Sequence, residues 1–229
     1  MTSTYPLDVR LNVSTRSGKV RVIAESGQEL TIDGGTVTGK SVDGVLDVRR
    51  TRGSDTITVL CPPDTDVTVG TVSGNVEFEG SLGAVRVVTV SGKVRVQKAA
   101  QVDVRAKSGN VEIEECSGDC RIVVTSAKIR VGRAQRASIA GVSGIVAAEG
   151  VGAAEVKTVS GKVMLGTTGP GSVSVRTVSG KVEIRVPRDV HPQTRLKSIS
   201  GHIKNECPRG DDGEIAVASV SGAIRVMCA

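Results

Sequence analysis

Enzymatic cleavage of a polysaccharide requires two carboxylates at a defined separation, usually beside aromatic platforms that hold the sugar. The acidic pair Asp211-Asp212 lies between Gly210 and Gly213, a composition that makes turns, and the chain offers only Tyr5, Phe78 and no Trp as platforms. Its other acidic residues are scattered among basic ones. Zinc requires four ligands, commonly two close pairs of Cys or His. Cys116-x3-Cys120 has no second pair, and the only histidines are His191 and His202. No catalytic residue, metal ligand or cofactor is therefore assigned, and an enzyme is not expected. Two weaker chemistries remain. Lys162, Lys181 and His202 occupy the same place in successive copies of a repeat, which would make an anion-binding ridge unless acids such as Glu183 compensate. Thr-x-Ser in stacked turns could form an ice-binding array, but the Thr position is interrupted by Ala106, Val124 and Gly141.

The elements that would position these residues are set by the repeat itself, which is best sought before local structure. Copies are marked by Ser73, Ser91, Ser108, Ser126, Ser143, Ser160, Ser179, Ser200 and Ser221, with an earlier one at Ser17. All are followed by Gly except Ser126, which precedes Ala127. From Ser73 onward the steps are 18, 17, 18, 17, 17, 19, 21 and 21 residues. Three residues after the Ser stand Val76, Val94, Val111, Ile129, Val146, Val163, Val182, Ile203 and Ile224. Two further on stand Phe78, Val96, Ile113, Val131, Ala148, Leu165, Ile184, Asn205 and Val226. A third aliphatic column lies four before the Ser, from Val69 to Val217. Cys120 falls in another, with Val67, Val85, Val102 and Val173, and reads as core. A spacing of two between β-branched residues is the strand period with both members inward.

Each copy thus carries one short strand on either side of a Ser-Gly corner. The expected fold class is all-β, a single-chain parallel β-solenoid (β-helix) of about ten 17–21-residue turns, right-handed. At about 4.8 Å per turn it would be roughly 50 Å long. Glycine is expected to supply a corner with positive φ, and the small or hydroxyl residue two before the Ser is expected to fill a tight interior beside it. The whole of 1–229 is read as one domain, with 1–66 as less regular N-terminal turns that close one end and 67–229 as the regular repeats.

These columns, with the preceding Ile-Thr-Val-Leu-Cys-Pro-Pro-Asp-Thr-Asp-Val-Thr-Val at 57–69, resemble the bacterial "putative adhesin" family of β-strand-repeat proteins. The resemblance covers most of the chain and is strongest from 57 to 226. It implies the repeat fold and, by its label, surface adhesion, and it brings no catalytic residues.

Location and partners are read from composition. No apolar run approaches the roughly 18–20 residues that span a bilayer, and Met1–Asp8 lacks a secretory pattern. Five scattered cysteines do not suggest a disulfide framework. The chain is therefore expected to be cytoplasmic, with reduced thiols and no membrane partner. Thirty basic and 24 acidic residues give a net charge of +6, but they are interspersed and lack stacking aromatics, so nucleic acid is not an expected partner either. Alternating Glu77, Arg95, Glu112 and Arg130 in one outward column predicts a self-paired face.

That alternation fails further on. Ala147 and Met164 occupy the same column, and Ile145 stands between Lys128 and Lys162 two after the Ser, marking a smoother patch for a protein partner. The last copy ends directly after the core-like Ile224, Val226 and Met227, so the C-terminal turn is expected to be uncovered. The leading expectation is a non-enzymatic structural or protein-interaction scaffold, a homodimer or oligomer through that end. The alternatives are a monomeric module binding a protein or anionic ligand along its face, or an adhesin-like surface protein. Removal of 215–229 is expected to abolish end-to-end association, which light scattering across a dilution series reads directly.

Overall fold

The computed structural model describes residues 3–5, 10–27, 30–34, 36–40, 45–50 and 56–228; parts of the irregular 1–66 segment, and Ala229, lie outside the described residues. Among the described residues all regular structure is strand: β1 (Ser3–Tyr5), β2 (Arg10–Ala24), β3 (Leu30–Asp33), β4 (Thr36–Lys40), β5 (Val45–Arg50), β6 (Thr56–Cys61), β7 (Val67–Ser91), β8 (Lys93–Gly141), β9 (Ser143–Thr167), β10 (Gly171–Val186), β11 (Gln193–Ser198), β12 (Ile203–Asn205), β13 (Gly213–Ser221) and β14 (Ile224–Cys228). The chain divides into two compact units, Met1–Ser117 and Gly118–Ala229.

Within each unit the long strands pair in parallel, and the register matches the columns. In the first unit Ser17 pairs with Ser73 and Val22 with Phe78, and Val76 pairs in turn with Val94. In the second, Ile129 pairs with Val146, and Val163 and Leu165 pair with Val182 and Ile184. Every residue in the two columns after the Ser is buried except Ile203 and Asn205. Cys120 is core, as its column implied. Aliphatic side chains and the single Phe78 fill the interior, and each coil is stable only through its neighbours.

The corners hold the stack at its closest approach. Gly92, Gly109, Gly144, Gly161 and Gly180 have φ between +127° and +146°. A Cβ on Gly161 would stand 2.1 Å from the carbonyl oxygen of Gly144, and one on Gly180 would stand 2.1 Å from that of Gly161. Both conformation and space therefore demand glycine. Beside four corners a hydroxyl donates to the carbonyl two residues on: Thr15 to Ser17 at 2.7 Å, Thr89 to Ser91 at 3.1 Å, Thr158 to Ser160 at 3.2 Å and Thr177 to Ser179 at 3.3 Å. These bonds satisfy a backbone acceptor that the corner turns away from the ladder.

Coil order differs from sequence order at two places. In the first unit β2 is a regular coil, paired with β7 on one side and with β5 and β6 on the other. Antiparallel strands complete that region, β4 on β5, β3 on β6 and β1 on β3. Ser17-Gly18 is therefore in register with Ser73-Gly74, as an earlier copy of the repeat. In the second unit β13 and β14 lie between β10 and the pair β11/β12.

The expected uncovered C-terminal turn is corrected by this arrangement. Ile224 (1% exposed) and Val226 (0%) are core, with β10 on one edge and β12 on the other. The outer coil is instead β11/β12, which explains why Ile203 and Asn205 are exposed. Cys207, just past β12, is joined by a disulfide to Cys228 at the end of β14, with Cα atoms 5.2 Å apart. That cross-link corrects the expectation of reduced thiols throughout, while Cys61, Cys116 and Cys120 are buried in the core.

Two measurements follow from this packing. Gly161→Ala should lower the urea-unfolding stability by about 3 kcal/mol, since strain and overlap act at one position. An unchanged midpoint would mean the corner can open at no cost. Closing a loop of 21 residues, the disulfide should contribute about 3 kcal/mol, read as the stability lost in Cys207→Ser/Cys228→Ser.

Candidate binding face

Each corner also sets what points outward. The residue immediately before the Ser alternates with the buried Thr and must face solvent. In the second unit this position holds Thr125 and then Val142, Val159, Val178, Val220 and Ile199, the last five between 44% and 82% exposed. Register makes them neighbours. Val159 N donates to the Val142 carbonyl, Thr177 pairs with Thr158 and Ser219, and Ser200 N donates to the Val220 carbonyl. Five aliphatic side chains thus form one continuous row at the corner. In the first unit the same position holds Arg16, Val72 and Val90, then Lys107. Sequence reasoning treated the Thr-Val-Ser-Gly-Lys-Val unit as a source of core and corner residues, and so missed its exposed Val. The signal was available, because a Val out of phase with the inward residues recurs six times along the chain and an Ile once.

Basic residues flank the row. Three before the Ser stand Lys157, Arg176 and Lys197, and two after it stand Lys128, Lys162, Lys181 and His202. Lys162 and Lys181 both reach Glu183, at 3.2 and 2.5 Å, and Lys157 reaches Glu155 at 2.6 Å. Hydrogen bonding to Lys181, opposed by burial and aided by Lys162, holds the Glu183 carboxyl below its ordinary range. The suggested anion ridge is therefore partly neutralised by Glu183, the acid that the sequence had marked for that role. His202 is not beside Lys181, because the inserted β13–β14 segment places Ala223 between them: Val182 N donates to the Ala223 carbonyl, and Ile224 N to that of His202.

The smoother patch is only partly assembled. Ala147 and Met164 line a groove of about 370 Å³ with Glu149, Gly166, Glu183 and Arg185 around it. Gly166 lies between Glu149 and Arg185 on adjacent coils, and a Cβ there would stand 2.2 Å from the Glu149 carbonyl oxygen, so the backbones approach too closely for a side chain. Ile145 (38% exposed) is not among the groove's lining residues, and pairs with Lys128. Of the C-terminal candidates only Met227 retains partial exposure. In the first unit the alternating charges do pair, with Arg95 on Glu112 at 3.1 Å and Lys93 on the same carboxylate at 2.9 Å.

The family described as Toastrack DUF4097 matches residues 5–227. Among solved structures, a "putative adhesin" of Bacteroides fragilis is similar at 15% identity and a TM-score of 0.51, over 99% of this chain and 96% of that one. A "putative lipid binding protein" of Parabacteroides distasonis is similar at 14% identity and 0.56, with the same coverage. A "putative adhesin" of Parabacteroides merdae is similar at 12% and 0.51, over 99% and 95%. No curated protein matches the sequence. The expectation of a cytoplasmic protein is overturned: structural neighbours bear the name adhesin, which belongs to the cell surface, and the Cys207–Cys228 disulfide removes the reduced-thiol argument.

Glu183 gives these electrostatics a pH signature. A carboxyl whose folded value is lowered contributes stability above its unfolded value of about 4.3, and that contribution is lost as pH falls through the folded value. The stability difference between the wild-type chain and Glu183→Gln should therefore shrink between pH 6 and pH 3, read by urea midpoints. A difference independent of pH would remove the paired lysines as its cause.

Proposed function

The chain belongs to the Toastrack DUF4097 family, and on that footing we propose that it is a non-enzymatic, adhesin-like binding protein of the cell surface. The coil, right-handed and of about ten turns on this reading, serves as a stiff support that displays rows of side chains at strand spacing. The observation that carries the reading is the exposed row Val142, Val159, Val178, Val220 and Ile199. Contiguous aliphatic surface in water is unfavourable and is characteristic of contact sites. The names borne by the neighbours from Bacteroides fragilis and Parabacteroides merdae support the same assignment.

Self-association is the weaker reading. With β14 interior, removal of 215–229 would take out an inner coil and not a free edge. An end-to-end contact would have to use β11 and β12, which are short and carry Arg195, Lys197 and Lys204. Short, cationic edge strands resist strand addition.

Beads coated with the full chain and passed over washed bacterial cells test the assignment. Val159→Ser/Val178→Ser should reduce retention roughly tenfold, the scale of losing two central contact residues. Because both side chains already face water, thermal stability should change little. Retention equal to wild type would exclude this row as the binding element.

A further inference from the structure

We infer that the aliphatic row of the second unit, with the basic rows beside it, docks on an anionic lipid surface; this names the target of the face proposed above and rests on that reading. Four strand steps of about 4.8 Å make the row about 19 Å long. It stands at the Ser-Gly corner, where the strands on either side turn away from one another. Its side chains can therefore enter the boundary between headgroups and acyl chains while the flanks remain in the polar layer. Lys157, Arg176 and Lys197 lie on one flank, and Lys128, Lys162, Lys181 and His202 on the other. An aliphatic stripe bordered on both sides by Lys and Arg is the pattern of interfacial binding to anionic lipid. Long basic stems lie along the apolar boundary with their charges among the phosphates.

The charge distribution agrees. Residues 118–229 contain 16 basic and 9 acidic side chains, a net of +7, whereas residues 1–117 contain 14 and 15, a net of −1. The whole excess positive charge of the chain thus belongs to the unit that bears the unbroken row. On its flanks only Glu155 and Glu183 offset the cations. Lys128, Arg176 and Lys197 make no ion pair among the described residues, which leaves them available to lipid phosphates. An absent bilayer-spanning segment had suggested no membrane partner. A contact that lies on the interface needs no span, only apolar side chains and charge of the right sign.

Two other occupants fit less well. A soluble polyanion would be held by the basic rows but gives no place to five exposed aliphatic side chains. A stable protein partner normally buries roughly 20–30 residues a side, whereas this row is five residues wide in charged surroundings.

Co-sedimentation of the full chain with vesicles decides the matter. Phosphatidylcholine vesicles containing about 30% phosphatidylglycerol should bind at least tenfold more tightly than pure phosphatidylcholine, and binding should fall steeply from about 0.1 M to 0.5 M salt. Arg176→Gln/Lys197→Gln should weaken binding tenfold or more and flatten the salt dependence. Val159→Ser/Val178→Ser should weaken it at least fivefold with the salt dependence kept. No binding to anionic vesicles, or equal binding to neutral ones, overturns the inference. So does vesicle binding that ignores the valine variant while dextran sulfate competes it away, since that behaviour belongs to a general polyanion site. If vesicles fail to bind but retention on cells still requires Val159 and Val178, the lipid target falls and the adhesin-like reading stands.

Discussion

The approach of one corner backbone to the next governs the rest of this structure. Built Cβ atoms at Gly144, Gly161 and Gly180 would fall 2.0–2.1 Å from the carbonyl oxygen of the preceding corner. The strands can keep ladder spacing through a turn only where no side chain intervenes. Once those corners are fixed, alternation does the remainder: Thr turns in and bonds the corner, the preceding Val turns out, and the aliphatic columns stack inward. A core dominated by Val and Ile is then the natural filling, because every coil must match its neighbours in shape.

Exposure of the valine row is a direct by-product of that geometry. A residue between a buried Thr and a corner Ser has nowhere to point but outward, so its chemistry is free of the demands of folding. A polar residue at that position would serve the fold equally well, as Lys107 does in the first unit. Five aliphatic residues in succession are therefore not required by the fold, and the proposed contact face rests on that surplus. The flanking lysines reinforce the point, since repeating one charge along a column raises repulsion unless a partner compensates. Glu183 relieves only part of it.

Columns of identical spacing made the inward residues, the corner glycines and the parallel register legible in the sequence. Spatial order was not legible, because adjacency in a repeat is normally inferred from adjacency in the chain. One residue did carry the information. Asn205 breaks an otherwise apolar column, and it marks the copy that lies outermost, with Val226 beneath it. Read as a tolerated exception it says nothing; read as a boundary it shows that the last copy is interior. The disulfide was hidden for the same reason, since Cys207 and Cys228 become neighbours only after β14 is placed under β12. The groove beside Met164 was half visible: Ala147 marked the smoother patch, but the close backbone approach at Gly166 looked like any other glycine.

The interleaved position of β14 also bears on how such a molecule would respond to tension. A strand at the margin of a sheet can be peeled away by opening one ladder, a bond at a time. β14 is hydrogen-bonded along both edges, to β10 and to β12, and its end is tethered covalently to the segment that covers it. A pull along it must shear two ladders together, so the load is shared across parallel bonds and does not concentrate at one. On the adhesin-like reading proposed above, such a strand would bear load without a larger contact.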